Sequence, residues 1–429
     1  MFENESQSNQ GDQAILVSLQ SQNSHSEEIS EFQELVKAAD VSELTLIKGK
    51  LLAANQRYFL GTGKVEEVRE AVVALGANVV IVNHELSPSQ NRNLEKYLNV
   101  RVLDRTALIL DIFAQRAESF EGKLQVELAQ LTHISSRLVR MWTHLDSLRG
   151  GSVGLRGPGE SQLEMDKRMI GLRIKQLKKK LEKVQQVRHQ GQALRDRLCV
   201  PVIALVGYTN AGKSSLFNRL TDAETYVEDK LFATLDPKHR TLFLDNIGDV
   251  VIVDTVGFIS KLPHELVTAF HSTLQSAVDA DLLLEVVDAS DPEREFKNEQ
   301  VAQVLEEIGA DKVPRILVNN KIDCLDDVVP HVTYNDEGIP QSVWISAEKD
   351  LGIQSLKDSI AVYFKEKHIS KNIILPPSKG RLRAKLFELN AVKNESINEN
   401  GEFVIELFMQ KSDWDRLVKL DDDAQKYLN

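Results

Sequence analysis

Gly207-Tyr208-Thr209-Asn210-Ala211-Gly212-Lys213-Ser214-Ser215 is the stretch on which the reading of this chain turns. It follows an apolar, β-branched run, Val200-Pro201-Val202-Ile203-Ala204-Leu205-Val206, and precedes a helical pattern through Leu216, Phe217 and Leu220. Strand, glycine loop and helix in that order are the context in which G-x-x-x-x-G-K-[ST] binds phosphate. Gly207 and Gly212 let the main chain close around a phosphate chain where a Cβ would clash. The N–H groups of the loop and of the following helix face the anion, and the helix dipole adds to the attraction. Lys213 is expected to reach the β- and γ-phosphates, and the Ser214 hydroxyl to bind Mg²⁺. The loop from Gly207 to Ser215 is therefore expected to line a nucleotide.

Stretches beyond the loop narrow the nucleotide. Asp254-Thr255-Val256-Gly257 ends a second apolar run, Val250 to Val253. An aspartate at the carboxyl end of such a strand can hold Mg²⁺ through water, and the Gly257 N–H can reach the γ-phosphate. Between the two stretches lies Phe232-Ala233-Thr234-Leu235-Asp236. Thr234 is the threonine expected to close on Mg²⁺ in the triphosphate state, so Ser214 and Thr234 are the expected metal ligands. Lys213, Thr234 and Gly257 are the expected catalytic groups. Asn320-Lys321-Ile322-Asp323 ends a third run, Ile316-Leu317-Val318. Asp323 can accept hydrogen bonds from the N1–H and 2-amino group of guanine, whereas adenine would leave a buried carboxylate unpaired. Ile345-Ser346-Ala347-Glu348 comes after Val343-Trp344, and its backbone is expected to cap the guanine O6. Five elements in order, each at a strand end, point to GTP and GDP, bound where parallel α/β sheets hold their ligands.

The chain has 429 residues, a length that suggests about three domains, and a globular composition. No run of about eighteen apolar residues occurs to span a membrane. The start, Met1 to Ser6, is polar and acidic, unlike a signal peptide, and the first dozen or so residues read as disordered. Cys199 and Cys324, the two cysteines, lack metal-ligand spacing and abut expected strands, so both read as buried thiols in a reducing cytosol. A cytoplasmic location is the expectation, with peripheral membrane association left open. The net charge of −12 argues against a general nucleic-acid coat protein.

Before the loop, Ala14–Leu19, Leu44–Ile47, Val79–Val82 and Val100–Leu103 read as strands, alternating with helical patterns over 27–38, 65–75 and 88–98. That alternation implies a small α/β domain with a parallel sheet, over 1–119. Gly61-Thr62-Gly63-Lys64 invites a second phosphate-loop reading, but its spacing favours a tight turn into a helix. From Lys123 the pattern changes to heptads. Leu124, Leu128, Leu131, Leu138, Trp142 and Leu145 form one seam, and Leu163, Ile170, Ile174, Leu177, Leu181 and Val184 another. The glycine-rich break Arg149 to Gly159 between them predicts an antiparallel helical hairpin over 120–198. Its second arm would reach about 55 Å at 1.5 Å per residue. Eleven Lys or Arg against five acids between Glu160 and Leu198 make that arm basic within an acidic chain. A solvated coiled-coil face would look similar. Five glycines with Arg149 and Arg156 at the tip favour contact with RNA. The GTP-binding domain is expected over 199–368. A small α+β domain comes next over 369–429, with strands at Arg383–Leu389 and Phe403–Leu407 and a short helix capped by Ser412.

The arrangement resembles the HflX family of translation-factor-class GTPases. The residues that carry the resemblance are Gly154-Leu155-Arg156-Gly157-Pro158-Gly159-Glu160 with Gln162-Leu163-Glu164, Gly207 to Ser215, Phe232 to Asp236, and Asp254-Thr255-Val256-Gly257-Phe258. Leu262-Pro263-His264, Leu266-Val267 and Ala269-Phe270 extend it. The resemblance implies binding to the large ribosomal subunit and the 70S ribosome, with the 149–159 tip against ribosomal RNA near the peptidyl-transferase centre. It also implies dissociation of idle or stalled ribosomes, often under heat stress. A monomer is expected.

Phe258 departs from Ras-like enzymes, which place a water-orienting glutamine there. Slow intrinsic hydrolysis, stimulated by the ribosome, is the expectation. Asn210 is either a turn residue or, as in similar loops, a K⁺ ligand standing in for an arginine finger. Two further readings stay open at this level. One is a GTP-switched RNA-binding factor of large-subunit assembly; the other is an ATP-driven RNA remodelling enzyme using the first domain.

Overall fold

In the computed structural model the described residues are 12–20, 28–51, 54–140, 158–197, 200–221, 231–245, 247–260, 271–389 and 391–410, with Trp414 and Leu417. The polar N-terminus to residue 11, the tip from 149 to 157, Trp142, Leu145, Cys199 and Ser412 lie outside them. The chain divides into two compact units.

The first unit opens with β1 (Gln13–Gln20), α1 (Glu28–Ala38), β2 (Ser42–Lys50), α2 (Thr62–Leu75), β3 (Val79–Val82), α3 (Pro88–Leu98) and β4 (Arg101–Asp104). The four strands form a parallel sheet in the order β2-β1-β3-β4, as the alternation of strands and helices requires. Ile15, Val17, Val80 and Val82 of the sheet are buried with Val65, Val68 and Leu94 of the helices. Gly61 caps α2, and Lys64 turns its Nζ to the Lys48 carbonyl (2.9 Å) and to Glu67 (2.6 Å). Gly61 to Lys64 is thus a tight turn into a helix, and its lysine is engaged by the domain itself. A helix that the sequence pattern does not reveal, α4 (Arg105–Arg116), starts directly where β4 ends. Asp104 serves both elements, its Oδ1 accepting from the Ala107 N–H at 2.9 Å. Because no turn residue separates strand from helix, nothing in the local sequence marks the change.

Two long helices come next, α5 (Phe120–Arg140) and α6 (Pro158–Arg197). Their seam is the one that the heptads indicate: Leu177 and Leu181 are buried against Leu124, with Leu128 and Leu131 packed alongside. Arg173 adds a two-pronged ion pair to Glu127, at 2.7 and 3.0 Å. At its 40 residues, α6 is about 60 Å long.

The second unit is built on a seven-stranded sheet. Its elements are β5 (Val202–Gly207), α7 (Lys213–Thr221), β6 (Lys238–Leu244), β7 (Gly248–Asp254), α8 (His271–Val278), β8 (Leu282–Asp288), α9 (Arg294–Glu307), β9 (Arg315–Asn320), β10 (His331–Tyr334), β11 (Pro340–Trp344) and α10 (Ile353–Lys367). The order is β10-β11-β9-β8-β5-β7-β6, parallel except for the two edge strands. One sheet face buries Leu205, Leu284, Val286 and Val318 against Leu216, Phe217 and Leu220 of α7 and Leu356, Ile360 and Phe364 of α10. The mixed α/β class with a phosphate-loop domain is as the sequence indicates.

A third sheet, β12 (His368–Leu375), β13 (Val392–Ile397) and β14 (Phe403–Gln410), is antiparallel in the order β12-β14-β13. Between β12 and β13 lies α11 (Gly380–Glu388), which corrects the strand expected at Arg383–Leu389. The alternation there is misleading, because the side chains that turn inward are Leu382 and Leu386, four apart. Phe408 leaves this sheet to join the core of the seven-stranded one.

Candidate nucleotide site

The parallel strands β5, β7, β8 and β9 end on one edge of the sheet, at Gly207, Asp254, Asp288 and Asn320. Gly207 has φ +142°, and a Cβ there would stand 2.2 Å from the Val286 carbonyl oxygen, so no other residue fits. Gly212 has φ +90°, and a Cβ would meet Asn320 Nδ2 at 2.3 Å. Between them Asn210 takes a left-handed φ of +61° and is exposed, which accounts for an asparagine in the turn. Tyr208, Thr209 and Ala211 are buried, and Ser214 and Ser215 are half-buried in the first turn of α7.

Lys213 is buried, and its Nζ donates to the carbonyls of Gly207 (3.1 Å) and Tyr208 (2.6 Å). The ammonium is held over the loop that it serves. Burial pushes its pKa down to about 8, against the opposing pull of Asp254. The Ser214 hydroxyl donates to Asp254 Oδ2 at 2.8 Å. A hydroxyl and a carboxylate so placed are hard oxygen donors, of the kind that Mg²⁺ takes. Thr255 is buried and ties its Oγ1 to the Leu205 carbonyl at 2.6 Å, which fixes the strand end that presents Asp254. Val256 is buried, and Gly257 lies so close to the loop that a Cβ would touch Thr209 Cγ2 at 2.8 Å and Lys213 Nζ at 2.9 Å.

The base end is assembled around Asn320. Its Nδ2 donates to the Ala211 carbonyl at 2.9 Å, and its Oδ1 accepts from the Ala347 N–H at 2.9 Å. One buried amide thus staples the phosphate loop, the end of β9 and the loop after β11. Lys321 sits at φ +63° with Nζ 2.7 Å from Asp288 Oδ2. Burial would raise the Asp288 carboxyl, but hydrogen bonds from Lys321 and Ser290 outweigh it and hold the group below the ordinary carboxylate range. Asp323 is exposed on a single 3₁₀ turn, its carboxylate open to solvent and to a base. Ser346 is buried, and its Oγ accepts from the Lys349 N–H at 3.0 Å. Arg219 of α7 donates to the carbonyls of Ala347 (2.9 Å) and Glu348 (3.0 Å), which ties the loop after β11 to the helix that follows the phosphate loop. Cys324, beside Asp323, is exposed, which corrects the buried thiol expected there.

Phe232, Ala233 and Thr234 group with the first unit. There Phe232 meets Phe113 edge-on at 4.7 Å, and Thr234 is buried. The constellation above is that of the second unit. Two of its parts, Arg219 and Asp288, go beyond the residues that the sequence motifs single out. A signal exists for Asp288, which closes the apolar run of β8 in the way that Asp254 closes β7.

Phosphate loop, hydroxyl–carboxylate pair and the Asn-Lys-x-Asp stretch after β9, on one edge of a parallel sheet, define a P-loop GTPase. Residues 202–321 match the family described as 50S ribosome-binding GTPase. Residues 26–114 and 116–195 match the N-terminal and middle regions of GTP-binding GTPases. The chain belongs to the GTPase HflX family, a family of ribosome-binding GTP hydrolases. GTPase HflX of Escherichia coli (strain K12) is 48% identical over 419 residues, covering 97% of this chain and 98% of that protein. GTPase HflX of Magnetococcus marinus is 43% identical over 379 residues, covering 87% of each. Among solved structures, a GTP-binding protein from the archaeon Sulfolobus solfataricus in complex with GDP is 25% identical. It covers 82% of this chain and 98% of its own, with a TM-score of 0.44. Among the described residues no helix is long and apolar enough to cross a membrane.

Proposed function

We propose that this GTPase acts on the large ribosomal subunit and separates idle or stalled 70S ribosomes, with GTP binding setting its active form. The observation that carries the reading is the arm. In α6 a 40-residue helix packs on α5 through a narrow leucine seam and leaves most of its lysines and arginines exposed. A basic rod with so little apolar contact suits phosphate backbones better than a protein core. The glycine-rich tip, with Arg149 and Arg156, would reach ribosomal RNA, and the four-part division at 119, 198 and 368 belongs to the same reading.

In the catalytic cycle Gly207 to Ser215 would hold the phosphates, with Lys213 on the β- and γ-groups, and Asp323 with the Ser346–Glu348 loop would read guanine. Ser214 would hold Mg²⁺, with Asp254 acting through water and Thr234 joining in the triphosphate state; the ion, when bound, neutralises charge on the phosphates. The Gly257 N–H would contact the γ-phosphate. Intrinsic turnover is slow because Phe258 brings no polar group to the water, and the ribosome raises it. K⁺ near Asn210 is the second route to the same acceleration. The test is sedimentation of 70S ribosomes with the protein and either GTP or a non-hydrolysable analogue. Free subunits in both cases support splitting driven by the triphosphate state. Co-migration with the large subunit alone and intact 70S particles would favour an assembly factor instead.

A further inference from the structure

Thr209 carries a hydroxyl that the fold does not use. The residue is 7% exposed, and its Oγ1 has no hydrogen-bond partner among the described residues. A buried hydroxyl without a partner loses its hydration and gains nothing in return, so it calls for a reason. Valine would fill the same volume without that cost.

The surroundings supply the reason. Thr209 Cγ2 and Lys213 Nζ both close on Gly257, at 2.8 and 2.9 Å from where its Cβ would stand. A γ-phosphate is contacted by the loop lysine and by the glycine N–H. Thr209 therefore stands at the γ-phosphate end of the loop. The residue after that glycine commonly orients the attacking water, and here it is disabled twice over. Phe258 has no polar side-chain atom and is 1% exposed. Its main chain is also committed, the N–H donating to the Gly207 carbonyl at 3.1 Å and the carbonyl accepting from the Thr209 N–H at 2.7 Å. Two residues on, the Ser260 N–H donates to the Tyr208 hydroxyl at 2.6 Å. Residues 258 to 260 are stitched to the phosphate loop, and one bond of the bridge that fixes Phe258 comes from Thr209 itself.

We propose that Thr209 Oγ1 orients the water that attacks the γ-phosphate. The hydroxyl accepts a hydrogen bond from the water and donates its own to a γ-phosphate oxygen, which aims a water lone pair at phosphorus. The water oxygen forms the new bond to phosphorus. The bond from phosphorus to the β,γ-bridging oxygen breaks, its electron pair leaving on GDP, and the water proton ends on the released phosphate. Thr209 keeps its proton throughout. This assignment rests on GTP hydrolysis by the site, and it stands or falls independently of any ribosomal role.

The test is single-turnover GTP hydrolysis by the free full-length protein, with GDP affinity and melting temperature measured beside it. Thr209→Val keeps the branched shape against Gly257 and deletes only the hydroxyl. The expected result is a fall in the hydrolysis rate of about 10- to 100-fold. GDP affinity stays within about threefold, since GDP lacks the group involved, and the melting temperature is unchanged or higher, because a buried unpaired hydroxyl is gone. Thr209→Ser retains the hydroxyl and keeps most of the rate. A valine variant that hydrolyses GTP at the wild-type rate overturns the assignment. So does a serine variant as slow as the valine one, which would make the methyl packing the active feature, and so does loss of GDP binding in the valine variant.

Discussion

Replacing Asn320 by alanine tests whether the site is held together by one side chain. Asn320 is 2% exposed and makes two hydrogen bonds of 2.9 Å, to the Ala211 carbonyl in the phosphate loop and from the Ala347 N–H in the base loop. Ala211 and Ala347 are themselves only 3% and 2% exposed, so water cannot easily replace the lost partner at either end. Each orphaned group costs about 1–3 kcal/mol, which makes the pair worth about 3 kcal/mol. On the proposed function, phosphates and guanine would bind on either side of this staple, so much of that loss would fall on nucleotide binding. We expect GDP affinity to drop by about 100-fold, equivalent to about 2.7 kcal/mol. The assay is equilibrium titration with a fluorescent GDP, beside thermal melts with and without nucleotide; bound nucleotide should raise the melting temperature less in the variant than in the wild type. Asn320→Asp separates the two ends. A carboxylate can still accept from Ala347, but it presents an acceptor to the Ala211 carbonyl, and it should be as damaging as alanine. GDP affinity within about threefold of wild type in both variants would refute the reasoning, whatever the melting temperature does.

Three further outcomes are expected. Gly207→Ala, whose Cβ would stand 2.2 Å from a backbone oxygen of the neighbouring strand, should destabilise the domain by about 3 kcal/mol or more, whereas Gly309→Ala, with φ +79° and open space around it, should cost only about 1 kcal/mol of left-handed strain; denaturant melts that rank the two equally would reject the steric account. Lys213 has a pKa of about 8 in the nucleotide-free protein, below its ordinary value, and a bound phosphate must raise it again, so binding takes up a proton above pH 8. Affinity is full below that pH and is lost as pH rises through it, by about tenfold at pH 9, and a flat affinity profile from about pH 7 to 9 would show the lysine to be charged throughout. Asp323→Asn should lower GTP affinity by about 100-fold and transfer preference to xanthosine triphosphate, because the amide reverses hydrogen-bond polarity at the base; unchanged GTP binding would move the base site elsewhere.

What the sequence discloses here is what short stretches encode by themselves. Gly207 to Ser215, Asp254 to Gly257 and Asn320 to Asp323 each end an apolar run, so motif and strand end coincide and the sheet edge is legible from residue order alone. The seam of Leu124, Leu177 and Leu181 is legible for the same reason, since a heptad repeats locally. Where two elements share a residue the reading fails. Asp104 ends β4 and caps α4 with no break, and a whole helix goes unnoticed. Amphipathic periods also mislead when they are short. Arg383 to Leu389 alternates over seven residues like a strand, and only the burial of Leu382 and Leu386 on one side shows a helix.

The contacts that make the site precise come from far along the chain, and no window of sequence contains them. Arg219 holds the base loop across 128 and 129 residues, and Asn320 reaches the phosphate loop across 109. Thr209 is the extreme case, because its significance lies in a bond that is not made. As a sequence position it is one of four variable residues in a phosphate loop, and Phe258 is a missing glutamine with no indicated substitute. Only the folded site puts the two facts together: Thr209 packs against Gly257 with its hydroxyl buried and unpaired, and its own N–H pins the carbonyl of the phenylalanine that replaces the usual water-orienting residue. A loop that sequesters an unpaired hydroxyl at the γ-phosphate end is stabilised by filling that end, so the cost carried by the empty protein becomes a preference for GTP with its attacking water over GDP. Thr209→Val should therefore narrow the difference in affinity between a non-hydrolysable GTP analogue and GDP, and an unchanged ratio would place the hydroxyl outside the reach of the γ-phosphate.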